Sequence, residues 1–179
     1  MSIVTRRLGV RITILVACVV LAVQMVIVSI SAVRWHSSII AEAETDANGA
    51  LDYLRAIHTQ AMLNRANKAD GDPVIDTLDG TMDQLSEEAK NLTVWLVQGP
   101  KVVAFQKSQG GEFEAPRDAV DEEAVRTGKQ VTRMLDNGHF RLSRPVILGE
   151  GVARHEKCAT CHGRDMGIVK GEVMGLFAV

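Results

Sequence analysis

Five consecutive residues, Cys158-Ala159-Thr160-Cys161-His162, put two thiols three positions apart and an imidazole directly after the second. That order suits covalent haem attachment. Each thiol adds across one vinyl group, and the histidine that follows lies beneath the ring to bind the iron. With 3 Cys and 5 His in 179 residues, chance assembly of this order is rare. Two other chemistries use similar residues. A structural zinc site needs four ligands, and the third cysteine, Cys18, lies inside an apolar N-terminal run. A set of His155, His162 and the two thiols is geometrically open, but it departs from the usual ligand spacings. A thioredoxin-type pair opens a helix after a buried strand. This pair instead follows the polar, Gly-rich "LGEGVARHEK". A c-type haem is therefore expected, with Cys158 and Cys161 as thioether anchors and His162 as proximal iron ligand.

The sixth ligand is less local. His58 and Met62 lie four apart on a predicted helix and so share a face. Either could reach iron, although Met is also a common filler of cores. Met166 and His155 are near the attachment site in sequence, which is a handicap, because the distal ligand must cross to the other face of the ring. Met134 and Met174 are expected in the sheet core, and an open sixth position would suit a gas sensor. Arg141, Arg144, Arg154, Lys157 and Arg164 crowd the motif. Arginine offers a forked donor to carboxylates, so Arg144 is the first choice as partner of a haem propionate, the others being expected as solvated loop charges. The acidic run Asp118, Asp121, Glu122 and Glu123 reads as an exposed helix surface. No Ser/His/Asp set, P-loop, GxGxxG or distal acid–base pair is present in the sequence, so no enzyme activity is expected.

The elements that position these residues begin with an anchor. From Ile12 to Val33 the chain is apolar over about one bilayer's thickness. Arg6, Arg7 and Arg11 precede this run, and Arg34 follows it. The positive-inside rule places the N-terminus in the cytoplasm and residues 35–179 outside, as a single-pass protein of a bacterial inner membrane. "SISAV" would suit signal cleavage, but the apolar run exceeds the 7–15 residues of a signal core, so an uncleaved anchor is favoured. The periplasm is also where c-type haem is normally attached. A net charge of -2 and the lack of a basic stripe argue against nucleic acid.

Beyond the anchor, Ile40, Ala43, Ala47, Ala50, Leu54, Ile57 and Ala61 recur with alternating spacings of three and four, the seam of a long helix. Pairing with a second copy is expected slightly ahead of packing on the protein's own sheet. Gly71 and Pro73 break the helix. A second helix follows over 74–92, with Leu78, Met82, Leu85 and Ala89 on one face. "LTVWLV" and "KVVAFQ" read as a hairpin through Gln98-Gly99-Pro100. "RDAVDEEAVRTG" reads as a helix ending at Gly128. "KQVTRML" and "HFRLSRPVIL" form a second hairpin around Asn137-Gly138, and "GEVMGLFAV" a last strand. The expected fold is α+β: an N-terminal transmembrane helix continuing into a long helix packed on a PAS-like five-stranded antiparallel sheet.

In its anchor, in "RLSRPVILGEG", in "CATCHG" and in "MGIVKGEVMGLFAV", the chain resembles the haem-binding, PAS-like periplasmic sensor domains at the N-termini of bacterial chemoreceptors, histidine kinases and diguanylate cyclases. The resemblance implies one covalent haem c and a long helix against the haem edge, where His58 or Met62 reaches the iron. It also implies that redox state or a small ligand such as NO, CO or O2 is sensed and passed to an output partner. Such receptors continue into a second membrane helix and an output module. This chain is therefore expected to be a fragment, or a stand-alone member that signals through a partner. The alternative is a membrane-anchored monohaem cytochrome c that exchanges electrons with a redox partner. Small cytochromes c are mostly helical with haem near the chain start, and that favours the sensor.

Overall fold

The computed structural model describes residues 3–65, 73–89 and 91–179. The chain divides into two units, Met1–Glu42 and Ala43–Val179. Helix α1, Ile3–Asn64, supplies the first unit and opens the second. The predicted break at Gly71 lies outside the described residues.

In the first unit the side chains from Gly9 to Ile39 are exposed. Among the described residues, α1 alone is long and apolar enough to cross a membrane. Its hydroxyls bond back to carbonyls one turn earlier: Thr13 Oγ1 to Gly9 (3.0 Å), Ser29 Oγ to Met25 (2.8 Å) and Ser37 Oγ to Val33 (2.9 Å). Satisfied in this way, a hydroxyl costs little in apolar surroundings.

In the second unit, α2 (Pro73–Glu88), α3 (Pro100–Gln109) and α4 (Ala119–Thr127) accompany strands β1 (Trp95–Gln98), β2 (Val131–Met134), β3 (Phe140–Ile147) and β4 (Val173–Ala178). The sheet is antiparallel, in the order β1-β4-β3-β2, so the last strand lies between the first and the third. Successive strand residues face opposite sides. Leu96 and its partner Phe177 face a core with Ala47, Leu51 and Leu54 of α1 and Leu78 and Met82 of α2. Trp95, Val97, Leu176 and Ala178 face Ala124 of α4. The α1 seam is thus used by the protein's own sheet: Ala47 and Leu54 are buried there, while Tyr53 is 74% exposed.

Four strands, not five, form the sheet among the described residues, because "KVVAFQ" is the helix α3. Its Val and Phe favour a strand, but Pro100 stands at the first helical position, where its missing N–H costs nothing. Gly99 caps the start, and its N–H donates to the Met174 carbonyl (2.8 Å). A Cβ on Gly99 would stand 2.7 Å from the Val173 carbonyl oxygen, so only glycine allows β4 to come this close. The hairpin around Asn137-Gly138 and the helix over 119–127 form as expected. Asp118 caps α4 by accepting from the N–H groups of Val120 (3.0 Å) and Asp121 (3.1 Å), and Gly128 ends it in the left-handed region.

Three expectations about single residues are corrected. Asp121 is not a surface charge: it is 0% exposed. It accepts from Trp95 Nε1 (3.0 Å), Ser143 Oγ (2.6 Å), Arg141 Nη2 (3.0 Å) and the Arg117 N–H (3.0 Å). Arg141 is not a solvated loop charge. It is 6% exposed, pairs with Asp118 (2.9 Å), donates to the Val179 carbonyl (2.6 Å) and lies 4.2 Å from the Trp95 ring centre. Met134 lies on the outer strand β2 and is 41% exposed, whereas Met174 is buried as expected.

Candidate functional site

The segment after β3 folds as a series of tight turns. A 3-10 turn (Gly151–Arg154) leads into a short helical turn, α5 (Glu156–Cys158), and then a π-helical turn over Ala159–Asp165. The loop is pinned to the sheet at both ends. Gly149 N–H donates to the Ala153 carbonyl (3.0 Å), and Gly171 N–H donates to the Leu148 carbonyl (2.9 Å). Beneath it, Val102, Leu148, Ala153, Ile168 and Met174 form a separate small core. Lys101 Nζ ties the far side by bonding the Gly167 carbonyl (2.8 Å) and Glu172 (2.6 Å). Single-turn π segments are over-represented at functional sites. This one holds Cys161 and His162, and Cys158 stands immediately before it.

Cys158, Cys161 and His162 line one cavity of about 230 Å³. The turn that carries Cys158, Cys161 and His162 contributes one part of the lining, with Lys157 and Thr160. The C-terminal turns of α1 form another, with His58, Thr59, Met62 and Leu63. Val146, Met174 and Phe177 of the sheet and Val152 and Ala153 of the loop complete a largely apolar lining. Two cations, Arg65 and Lys157, also line it. Lys157 Nζ donates to the Leu63 carbonyl and so ties the residue beside Cys158 to the last turn of α1.

Burial sets the electrostatics. His58 has its pKa lowered from 6.5 to about 4, first by desolvation and second by the charge of His162, so it is neutral at ordinary pH. Its ring meets Phe177 edge-on, with centroids 5.4 Å apart and planes at 76°. Burial also pushes the Cys158 thiol up.

Five of the six residues singled out from sequence therefore share one cavity: Cys158, Cys161, His162, His58 and Met62. The sixth, Arg144, is not among its lining residues. It binds α1 instead, donating to Asp52 (2.7 Å) and Asn48, and to Gln130 (3.1 Å). Residue 144 stands on β3 beside Phe177, and its long side chain reaches the α1 turn that carries Asn48 and Asp52. His155 caps α5 by accepting the Lys157 N–H (3.2 Å), and Met166 packs against the small core under the loop. Arg65 was missed by sequence reasoning, although it lies three residues beyond Met62 at the end of α1.

The donor set fits a covalently attached haem: two thiols and an imidazole on one turn, apolar walls for a porphyrin, and cations for its carboxylates. Among the described residues no group of three or more His, Cys, Asp or Glu side chains is gathered to hold a bare metal ion. No protein-family model matches this chain, and no curated protein or solved structure matches it at a significant level.

Proposed function

We propose that this chain is a membrane-anchored, exported c-type haem sensor domain, which reports the redox state of one covalent haem or the binding of a small ligand to it. The observation that carries this reading is the single apolar cavity in which Cys158, Cys161 and His162 meet His58 and Met62 of α1. The bound haem supplies a one-electron couple and an iron centre able to take a small ligand.

The chain's own residues do the rest. Cys158 Sγ and Cys161 Sγ would hold the group, and His162 would supply an imidazole to its iron. Val146, Val152, Met174 and Phe177 keep water from the ring. Arg65 and Lys157, which line the cavity, would bind the propionates, the role expected of Arg144. A sheet whose last strand lies between the first and third supports a PAS-like arrangement, with α3 where a second strand was expected.

Sensing is favoured over simple electron carriage because α1 is itself a wall of the cavity. Lys157, next to Cys158, holds the Leu63 carbonyl at the end of that helix. A shift of the attachment turn is therefore felt by α1. The test is to express the full chain with c-type haem maturation and record a pyridine haemochrome after denaturation. A c-type spectrum retained by the denatured chain, and lost in Cys158→Ser with Cys161→Ser, is expected. A chain that matures without covalent haem overturns the proposal. Hydrogen exchange in residues 53–64 should also differ between oxidised and reduced protein. Identical exchange would leave the electron carrier as the better reading.

A further inference from the structure

Resting on the haem reading above, we infer that His58 is the second axial ligand, so that the iron is held between two imidazoles and the native site has no open position for a diatomic gas. His162 of the Cys158–His162 turn and His58 of α1 line the same cavity. A flat macrocycle fastened to Cys158 and Cys161, with His162 at one face, would turn its other face to α1. Two α1 side chains with donor atoms, His58 and Met62, line the cavity. They are four residues apart, about 6 Å along the helix axis, so one iron atom set against His162 is met by one of them and not by both.

Two observations choose His58. Its ring is already oriented, held edge-on by Phe177, a core residue 2% exposed on β4. A ligand whose ring is fixed before binding loses little freedom on coordination. Met62, in contrast, packs against the main hydrophobic core and stands beside Leu63, where Lys157 closes the end of α1. It is a filler next to the rim. Electron gain and loss are then what the resting site registers, and a small ligand competes only by displacing His58. Ligation by two imidazoles also places the potential below that of a His/Met haem.

The test uses the full-length, haem-loaded chain in detergent. Near-infrared magnetic circular dichroism and electron paramagnetic resonance of the ferric wild type should show low-spin bis-imidazole ligation, and the ferrous form should resist CO. His58→Ala should bind CO readily and lose the bis-imidazole signature, while Met62→Ala should keep the wild-type spectrum. If His58→Ala does not accumulate, the wild-type spectra still decide. A thioether-to-iron charge-transfer band that disappears in Met62→Ala would overturn the inference, as would a high-spin wild type that takes up CO. Both of those outcomes leave a covalent haemochrome in place, so they are distinct from failure of the haem reading, in which no haemochrome survives denaturation.

Discussion

Arg141 joins three parts of the second unit through one guanidinium: the cap of α4 at Asp118, the buried Asp121 and the carbonyl of Val179. A buried charge is tolerated only when its partners are in place, which explains why each of the three nitrogens of the Arg141 guanidinium finds an acceptor. Hydrogen bonds from this guanidinium hold the Asp118 carboxyl below its ordinary value of 3.8. For a carboxylate with a lowered folded-state pKa, the unfolded chain takes up the proton first. Its contribution is therefore complete above the ordinary carboxylate range and is lost as pH falls through the folded-state value. The difference in urea midpoint between wild type and Asp118→Asn should be constant from pH 7 down to about 5 and shrink below that. An equal difference at all acidities would mean that the ion pair contributes nothing. The sequence could not rank Arg141 and Asp121 above their charged neighbours, because burial depends on which faces meet. Cys158, Cys161 and His162 stood out because their spacing involves only adjacent residues.

At the scale of elements, Ala47 and Leu54 of the α1 seam pack into the protein's own core, while Ile57 of the same seam is 42% exposed. Leu54 is 1% exposed between the strands and α2, whereas Tyr53, one position earlier, points away. Leu54→Ala should cost about 2–5 kcal/mol in chemical denaturation, as large-to-small changes in cores do. Tyr53→Ala should change stability by no more than about 0.5 kcal/mol. The reverse order would mean that the exposed face of α1 is the one that carries stability. The spacing of three and four was visible in sequence because it is a property of the helix alone. Which partner fills the seam was not, since a second copy and a sheet offer the same apolar surface. The exchange of a predicted strand for α3 has a similar origin. Val102, Val103 and Phe105 favour extension, but Pro100 starts a helix, and Val102 is buried with Leu148, Ala153 and Met174.

At the scale of the whole molecule, all three hydrophobic clusters draw their residues from Ala43–Val179. The exposed apolar run of α1 contributes nothing to them. The full chain should therefore sediment with membranes, resist extraction by salt or alkaline carbonate, and enter solution with detergent. A chain lacking residues 1–34 should be soluble without detergent and still unfold cooperatively. Recovery of the full chain in the soluble fraction, with a new N-terminus after residue 30, would show that the run is a cleaved signal. Sequence by itself determined the order of thiols and imidazole in the Cys158–His162 run, the apolar run, the end of α4 at Gly128 and the second hairpin. Each of these depends on neighbours along the chain or on a short repeat. Tertiary structure alone decided that His58 faces the cavity of His162, that Arg144 serves α1, and that Asp121 is interior. Each of these requires distant segments to meet, and the meeting is set by the total apolar surface they bury together, a quantity that no local pattern encodes.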